Sequence, residues 1–480
     1  MSTSTPRGYG HDLQHDAAWL QSKITGASPT PFWLDSPARP APRPALSGDA
    51  RADLVVVGAG YCGLWAALIA MERDPGRSVI VLEARQAGWA ASGRNGGFCE
   101  MSLTHGEVNG ARHFAGELPA IEQVARANFR GLERSIERYG IDAEYENTGI
   151  LVVATEEHQV DPLRAAAHAS PDPDSRFFDR DQVREQVDSP LYLAGRFKKD
   201  GYSFVHPAKL AWGLRRACLD LGVQIYEHTP VRGLVRSSRD VQVRTDGGTI
   251  RARKVALATN GFPALLARNQ WFSVPIYDYA LMTQPLTDAQ LEAIGWTGRH
   301  GITDSSREFH YYRKSADNRI LFGGYDAIYH RGGKVRGAQE QRPETFLRLA
   351  DHFLSTFPQL QDITFTHAWG GMIDMSTNLV AFHGTAMGGH VAYSAGFTGL
   401  GVGATRFGAE TMLDLLEGDE TPRTRLAMVG SKPMPVPPEP LAYPLIQLMR
   451  RAVAKSDARH DGRDTFLLRL ADRFGVGFDS

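Results

Sequence analysis

Hydrophobic and polar positions alternate along this chain in two distinct rhythms. Residues 54–57 and 78–82 are continuous apolar, β-branched runs, the pattern of strands buried on both faces. Between them, over 64–72, apolar residues recur at helical spacing. Ile121, Val124, Ala125, Phe129, Leu132 and Ile136 mark a longer amphipathic helix over 118–139. Residues 149–154 read as a strand and 156–190 as charged helix and loop. His206 and Pro207 open a helix through 221, with His206 as a local cap, and 222–226 is a strand. Residues 241–244 and 249–251 form a hairpin around Asp246, Gly247 and Gly248, and 254–258 is a separate buried strand. Residues 275–285, 308–314 and 319–324 alternate as strands of one antiparallel sheet. Residues 391–394 are again a buried strand, followed by an apolar-faced helix over 402–417. The pattern is α/β: a Rossmann-like unit with an interleaved antiparallel sheet.

The ends differ. Residues 1–28 are polar with weak helical character. Residues 29–46 are proline-dense, an extended arm pinned by Phe32, Trp33 and Leu34. Residues 431–444 are proline-rich. Two amphipathic segments follow, over 445–455 and 465–474, with Arg450, Arg451 and Lys455 on a polar face. Such a tail docks on the core, the alternative being contact with a membrane surface.

Chemistry enters between the first two strands. Gly58, Gly60 and Gly63 stand at G-x-G-x-x-G spacing, with Ala59, Tyr61 and Cys62 inside the turn, and Glu83 closes the second strand. Gly58 permits the tight turn, Gly60 lets backbone approach a pyrophosphate, and Gly63 lets the helix pack against the strand. The helix N-terminus favours the anion, and Glu83 can accept from a ribose hydroxyl. The spacing implies a bound adenine dinucleotide, NAD or FAD. Residues 91–97 (ASGRNGG) are short, polar and glycine-rich where an NAD domain would enter another helix, and this favours FAD.

Composition excludes several classes. With 42% hydrophobic and 22% charged residues among 480, the chain is an ordinary globular protein of two intermingled domains. A net charge of −1 and no basic stripe argue against nucleic acid. Three cysteines, Cys62, Cys99 and Cys218, have neither disulfide nor metal-ligand spacing, so no metal is expected. The first residues lack a signal-peptide core and no run approaches a membrane span, so a cytoplasmic location is expected.

The motifs GAGYCG, VLEAR and ASGRNGG resemble the D-amino-acid oxidase-like family of FAD-dependent amine oxidoreductases, closest to the branch that includes γ-glutamylputrescine oxidoreductase. The resemblance spans roughly 30–425. It implies that Ala84 and Arg85 beside Glu83, and Ser92, Gly93, Arg94, Asn95, Gly96 and Gly97, lie along the cofactor. It implies that Val231 brackets the adenine and that Thr259 and Asn260 close over the phosphates. Trp369 and Gly370 match a turn beside the flavin. Gly396, Phe397, Thr398, Gly399, Leu400 and Gly401 form a closing turn whose N–H groups face the flavin N1/C2=O edge. The FAD-binding domain is then 49–110, 200–274 and 366–430, with a substrate or cap domain over 111–199 and 275–365.

Family chemistry implies oxidation of a primary or secondary amine by hydride transfer to flavin N5. The product imine is hydrolysed and O2 accepts the electrons. A dehydrogenase feeding a quinone or carrier, or a flavoprotein subunit without turnover, are the alternatives. The family's covalent attachment points are missing: no cysteine follows Cys218 and no histidine stands at 91–97, so FAD is expected to be non-covalent. Arg94, Tyr279, Tyr312, Arg313 and Trp369 are the candidate substrate contacts. Arg307, Arg313 and His310 supply positive charge for an acidic group on the substrate.

Overall fold

Strand Ala50–Val57 is apolar throughout its second half because both its faces are covered. Leu54 and Val56 join Val79 and Val81 in a core shared with helices, while Val55 and Val57 join Ile80 and Leu82 under a β-hairpin layer. The sheet runs Gln224–Tyr226, Val79–Leu82, Ala50–Val57, Gly248–Leu257 and Val391–Ala395, all parallel, with Phe382–Ala386 antiparallel at the edge. Helices Tyr61–Arg73, Pro207–Asp220 and Gly401–Glu417 pack on one face. The computed structural model describes residues 9–10, 12–170, 172–457, 463 and 465–473. The expectations for residues 1–8, 11, 171 and 474 lie outside the described residues.

The second sheet is built around the pairing of Ser273–Thr283 with Phe365–Ser376, eleven residue pairs from Ser273 with Ser376 to Thr283 with Phe365. Ile320–Gly324, His310–Lys314 and Gly301–Asp304 extend it antiparallel. Gly301–Asp304 then pairs parallel with Ile150–Ala154, the one parallel step on this path. Its core is aromatic, with Tyr192, Trp296, Tyr312, Phe322, Phe353 and Phe357 buried together.

Several local expectations are corrected. The helix after the glycine turn starts at Tyr61, on Gly60 as its cap, rather than at 64. The hairpin's second strand and the strand over 254–258 are one ten-residue strand, Gly248–Leu257, which pairs in parallel with Ala50–Val57 from Ile250 onward, while its other edge pairs first with Val241–Thr245 and then with Val391–Ala395. Residues 156–190 contain a strand, Arg176–Phe178, besides their helices. Residues 91–97 open with a helical turn, Ala91–Arg94. Trp369 and Gly370 lie inside Phe365–Ser376, which is strand and not a turn, because the alternative would leave its backbone unpaired opposite Ser273–Thr283. Helix Leu118–Arg138, expected on the substrate side, buries Ile121, Ala125, Phe129 and Leu132 in the core of the parallel sheet, and Asn128 Nδ2 donates to Gly403 O at 2.9 Å.

The arm is pinned as expected, with Trp33 and Leu34 buried. His206 caps its helix through Nδ1, which accepts from Lys209 N. Tail helix Ala442–Asp457 docks by Ala442 beside Ile276 and Tyr329. Among the described residues no helix is long and apolar enough to cross a membrane, and no group of three or more His, Cys, Asp or Glu residues could hold a metal ion.

Candidate active site

The carboxyl ends of the parallel strands and the second sheet enclose a cavity of about 1650 Å³. Open α/β sheets place their ligands at this end. Three segments far apart in sequence meet on its inner wall: 57–62, 88–96 and 397–402.

The glycine turn is set by contacts that no side chain could share. Gly58 has φ +104°, and a Cβ there would stand 2.5 Å from Ala258 O. A Cβ at Gly63 would stand 1.9 Å from Gly58 O, so this position sets how closely helix and strand approach. The helix Tyr61–Arg73 carries no side chain from its own cap residue, and Ser92 Oγ reaches across to accept from Tyr61 N at 2.9 Å. That bond ties 92 to the turn. Asn95 holds the same loop from within, its Nδ2 donating to Ala91 O and its Oδ1 accepting from Gly97 N. Glu83 is buried, and burial raises its pKa despite donors from Ala59 N, Arg85 N and Trp89 Nε1. Oε1 takes the donors from Arg85 and Trp89, and Oε2, with Ala59 N alone, retains acceptor capacity toward the cavity that Glu83 lines.

Of the other expected cofactor residues, Ala84, Gly96, Val231, Thr259, Asn260, Phe397, Thr398, Gly399, Leu400 and Gly401 line the cavity. Ala59, Gly63, Arg85, Gly93, Gly97, Gly370 and Gly396 stand behind its wall. Gly93 packs on Leu34 and Gly97 on Val205 O, while Arg85 stacks on Trp89 at 4.3 Å. The C-terminal turn has an anchor that motif spacing does not show. Asp374 Oδ2 accepts from Gly396 N at 2.5 Å, and burial pushes its carboxyl up to about 7. His105, itself at φ +54°, makes a 2.5 Å bond to Thr398 O. Burial pulls its pKa down to about 4, so the ring is neutral and donates through Nε2.

The opposite wall is the second sheet. Tyr311, Asp278, Trp369 and Gly371 face the cavity, while Tyr279, next to Asp278 along the strand, reaches its edge from the other face of the sheet, with its ring in the aromatic core against Phe346. Tyr279 Oη donates to Gln339 O at 2.8 Å, and Trp369 Nε1 donates to Arg94 O at 2.9 Å. Arg94 lines the cavity, but its guanidinium is engaged: Nε by Trp89 O, Nη1 by Gly370 O and by Glu340 at 2.8 Å. It clamps the 91–97 loop to the sheet.

Two candidates are displaced. Tyr312 points to the other side of His310–Lys314, fully buried, its hydroxyl 2.5 Å from Tyr192 Oη. Side chains alternate along a strand, so its neighbour Tyr311 takes the cavity position. Arg313 is buried behind the 91–97 loop, donating to Val205 O at 2.8 Å and lying over the rings of Trp33 and Phe204. Neither is on the cavity wall. The expected positive charge is also absent there in the form foreseen: His310 is wholly buried between Asp304 and His352, and Arg307 lies on the wall but pairs with Asp457 and Ser456.

The tail closes the outer end. Leu445, Ile446, Met449, Arg450 and Val453 share one face of Ala442–Asp457 and line the cavity. Arg450, expected on the polar face, turns inward toward Asp326 at 3.9 Å, while Arg451 and Lys455 stay exposed.

These residues fit an FAD. The turn brings backbone, with no Cβ, to the wall at Gly58 and Gly60; a helix N-terminus opens there; and a buried carboxylate stands at the end of the second strand. The volume exceeds that of a site for an ordinary small ligand. Comparison with known proteins agrees. The family model described as "FAD dependent oxidoreductase" (DAO) matches residues 53–415. The chain is 28% identical over 400 residues to a probable oxidoreductase OrdL of Haemophilus influenzae, covering 81% of this chain and 88% of that one. It is 28% identical over 420 residues to the γ-glutamylputrescine oxidoreductase of Escherichia coli, covering 84% and 92%. Among solved structures, the L-proline dehydrogenase of P. horikoshii superposes with a TM-score of 0.64 at 18% identity, covering 79% and 96%.

Proposed function

The chain belongs to the DAO family of FAD-dependent oxidoreductases, and from that premise we propose that it oxidises a primary or secondary amine, such as an amino acid or acylated polyamine, to an imine that water then hydrolyses. The observation that supports this reading is the single cavity in which the backbone cradle of 57–62, 88–96 and 397–402 faces a wall of Asp278, Tyr311 and Trp369, with Tyr279 at its edge. FAD, when bound, supplies the two-electron oxidation by accepting a hydride at N5. The protein's own part is positioning.

Trp369 is fixed by its hydrogen bond to Arg94 O, so it forms a rigid aromatic surface on which an amine's carbon skeleton can lie, and Tyr279, held by Gln339 O, backs it from the other face of the sheet. The N-terminus of Gly401–Glu417 opens on the cavity, and its N–H groups and dipole stabilise negative charge there. Trp369, the neighbouring sheet and the tail helix exclude water from the reacting centre. O2 is the acceptor in this reading. The E. coli relative's name carries an acylated diamine, a fitting first probe for this chain.

The test is anaerobic mixing of the yellow holoprotein with a panel of polyamines, amino acids and their N-alkyl and N-acyl forms. The visible flavin absorbance should bleach with at least one amine and return on admitting O2 with one peroxide per flavin. A flavin that stays oxidised against the whole panel would sink the proposal, and return of colour without peroxide would move the acceptor to a quinone or carrier.

A further inference from the structure

The carboxyl that stands beside the 91–97 loop on the second-sheet wall has no Lys or Arg paired with it among the described residues. Asp278 Oδ1 accepts from Tyr279 N at 2.8 Å and Oδ2 accepts from Tyr311 Oη at 2.6 Å. Four other acids of the cavity lining have charged or backbone partners. Asp326 is met by Arg342 and Arg348, Asp304 by His310, Asp457 by Arg307, and Asp374 by the N–H groups of the 396–398 turn. Asp278 and Tyr311 are both half-buried and both on the cavity wall.

Their position is central. Asp278 sits in register with Gly371, where a Cβ would lie 3.5 Å from Arg94 Cβ, and the Tyr311 ring packs over Gly96, where a Cβ would lie 2.7 Å from its Cε2. Both residues that carry the glycine contacts, Arg94 and Gly96, belong to the 91–97 loop. Gly323 opposite Tyr311 leaves room for the hydroxyl, since a Cβ there would stand 2.8 Å from it. The site is therefore built for an acid and a phenol at this spot, beside the cofactor loop.

We propose that Asp278 is the group that receives the substrate's ammonium and takes its proton, with Tyr311 as the positioning residue that orients the carboxylate. This rests on the amine-oxidation reading above and names the base for it. In the step, one N–H bond of the ammonium breaks and an O–H bond forms on Asp278. The cation and the anion become a neutral amine and a neutral acid, and the freed lone pair on nitrogen is what the oxidation requires. No electrons are exchanged in this step.

Electrostatics agree with the geometry. Burial, with a smaller contribution from the nearby Asp326 charge, raises the Asp278 carboxyl to about 6 against the lowering effect of the bonds from Tyr311 and backbone. The titratable groups that face it are few. They are Tyr311 on the next strand, Tyr277 and Tyr279 on its own, Tyr325 and Asp326 beyond Gly324, and Arg94, held by Glu340, across Gly371. A base near the working pH suits proton transfer best.

Rapid mixing of holoprotein with one amine that bleaches the flavin, over pH 5 to 10, tests this. In the wild type the second-order bleaching rate should rise through about pH 6 as Asp278 ionises. Asp278→Asn should keep its FAD, lose that limb, and fall by about 100-fold at neutral pH. Its rate should recover as pH climbs toward the amine's own pKa. Tyr311→Phe removes a bond to the charged form, so its limb should move to higher pH. A quaternary ammonium analogue, read by perturbation of the flavin spectrum, should bind Asp278→Asn about tenfold more weakly, while a neutral alcohol of the same shape binds equally. An unchanged profile, or a loss equal at every pH, would overturn the proposal. Failure of every amine to bleach the wild type would instead bring down the parent reading.

Discussion

The two walls of the cavity are built by different means. The cradle is made of backbone. Gly58, Gly60 and Gly63, the 91–97 loop and the 396–401 turn present N–H groups and close approaches, and the one charged side chain among them that lines the cavity, Arg94, is held by Trp89 O, Gly370 O and Glu340. The opposing sheet is made of side chains, with Asp278, Tyr279, Tyr311 and Trp369 brought together by the register of three strands. A backbone site binds what family members share, the cofactor. A side-chain site can change residue by residue without disturbing the fold, which is where a substrate preference can be written.

Variants that separate the walls test this contrast. The largest effect is expected at Gly63→Val. Its Cβ would meet Gly58 O at 1.9 Å, so helix and strand must part at a cost of about 3 kcal/mol, the upper end for overpacking. The purified protein should lose both FAD and several degrees of Tm, read by absorbance and calorimetry. Next comes Asp374→Asn. It weakens a charged hydrogen bond to Gly396 N, worth about 1.5 kcal/mol, so FAD affinity should fall about tenfold. It also has a pH signature in the apoprotein. The native carboxyl, raised to about 7 from 3.8, binds more protons than the unfolded one between those values, so it makes stability fall as pH rises through that window. Asp374→Asn should therefore lose less Tm than the wild type between pH 5 and 8.

On the other wall, Tyr279→Phe removes the bond to Gln339 O, about 1 kcal/mol. It should raise KM for the amine about fivefold and leave FAD content unchanged. Tyr312→Phe should be the mildest. Its hydroxyl meets Tyr192 and Tyr9 in the core and not the cavity, so KM should not move and stability should fall by about 1 kcal/mol.

The same contrast explains what could be read from sequence. The cradle was legible because its parts are local: a strand, a turn and a helix follow one another, and the glycines have fixed offsets. The roof strands were legible as strands, but not the face they present. Tyr311 and Tyr312 alternate in a sheet buried on both sides, so periodicity has no preferred side to report, and the tyrosine chosen was the one in the core. Asp278 and Asp374 gave no local signal, because their partners, Tyr311 and Gly396, lie 33 and 22 residues away. Helix Leu118–Arg138 was read correctly as amphipathic, but a hydrophobic face does not name its partner. Nor did the tail's pattern reveal that Met449 and Arg450 would close the cavity.

The most direct test of the division is to titrate stripped wild-type and Asp278→Asn apoproteins with FAD and follow the flavin spectrum. Equal dissociation constants, within about twofold, together with a lost affinity for the cationic analogue in the variant, are the result expected if backbone holds the cofactor and side chains hold the substrate. A variant that can no longer bind FAD would contradict it.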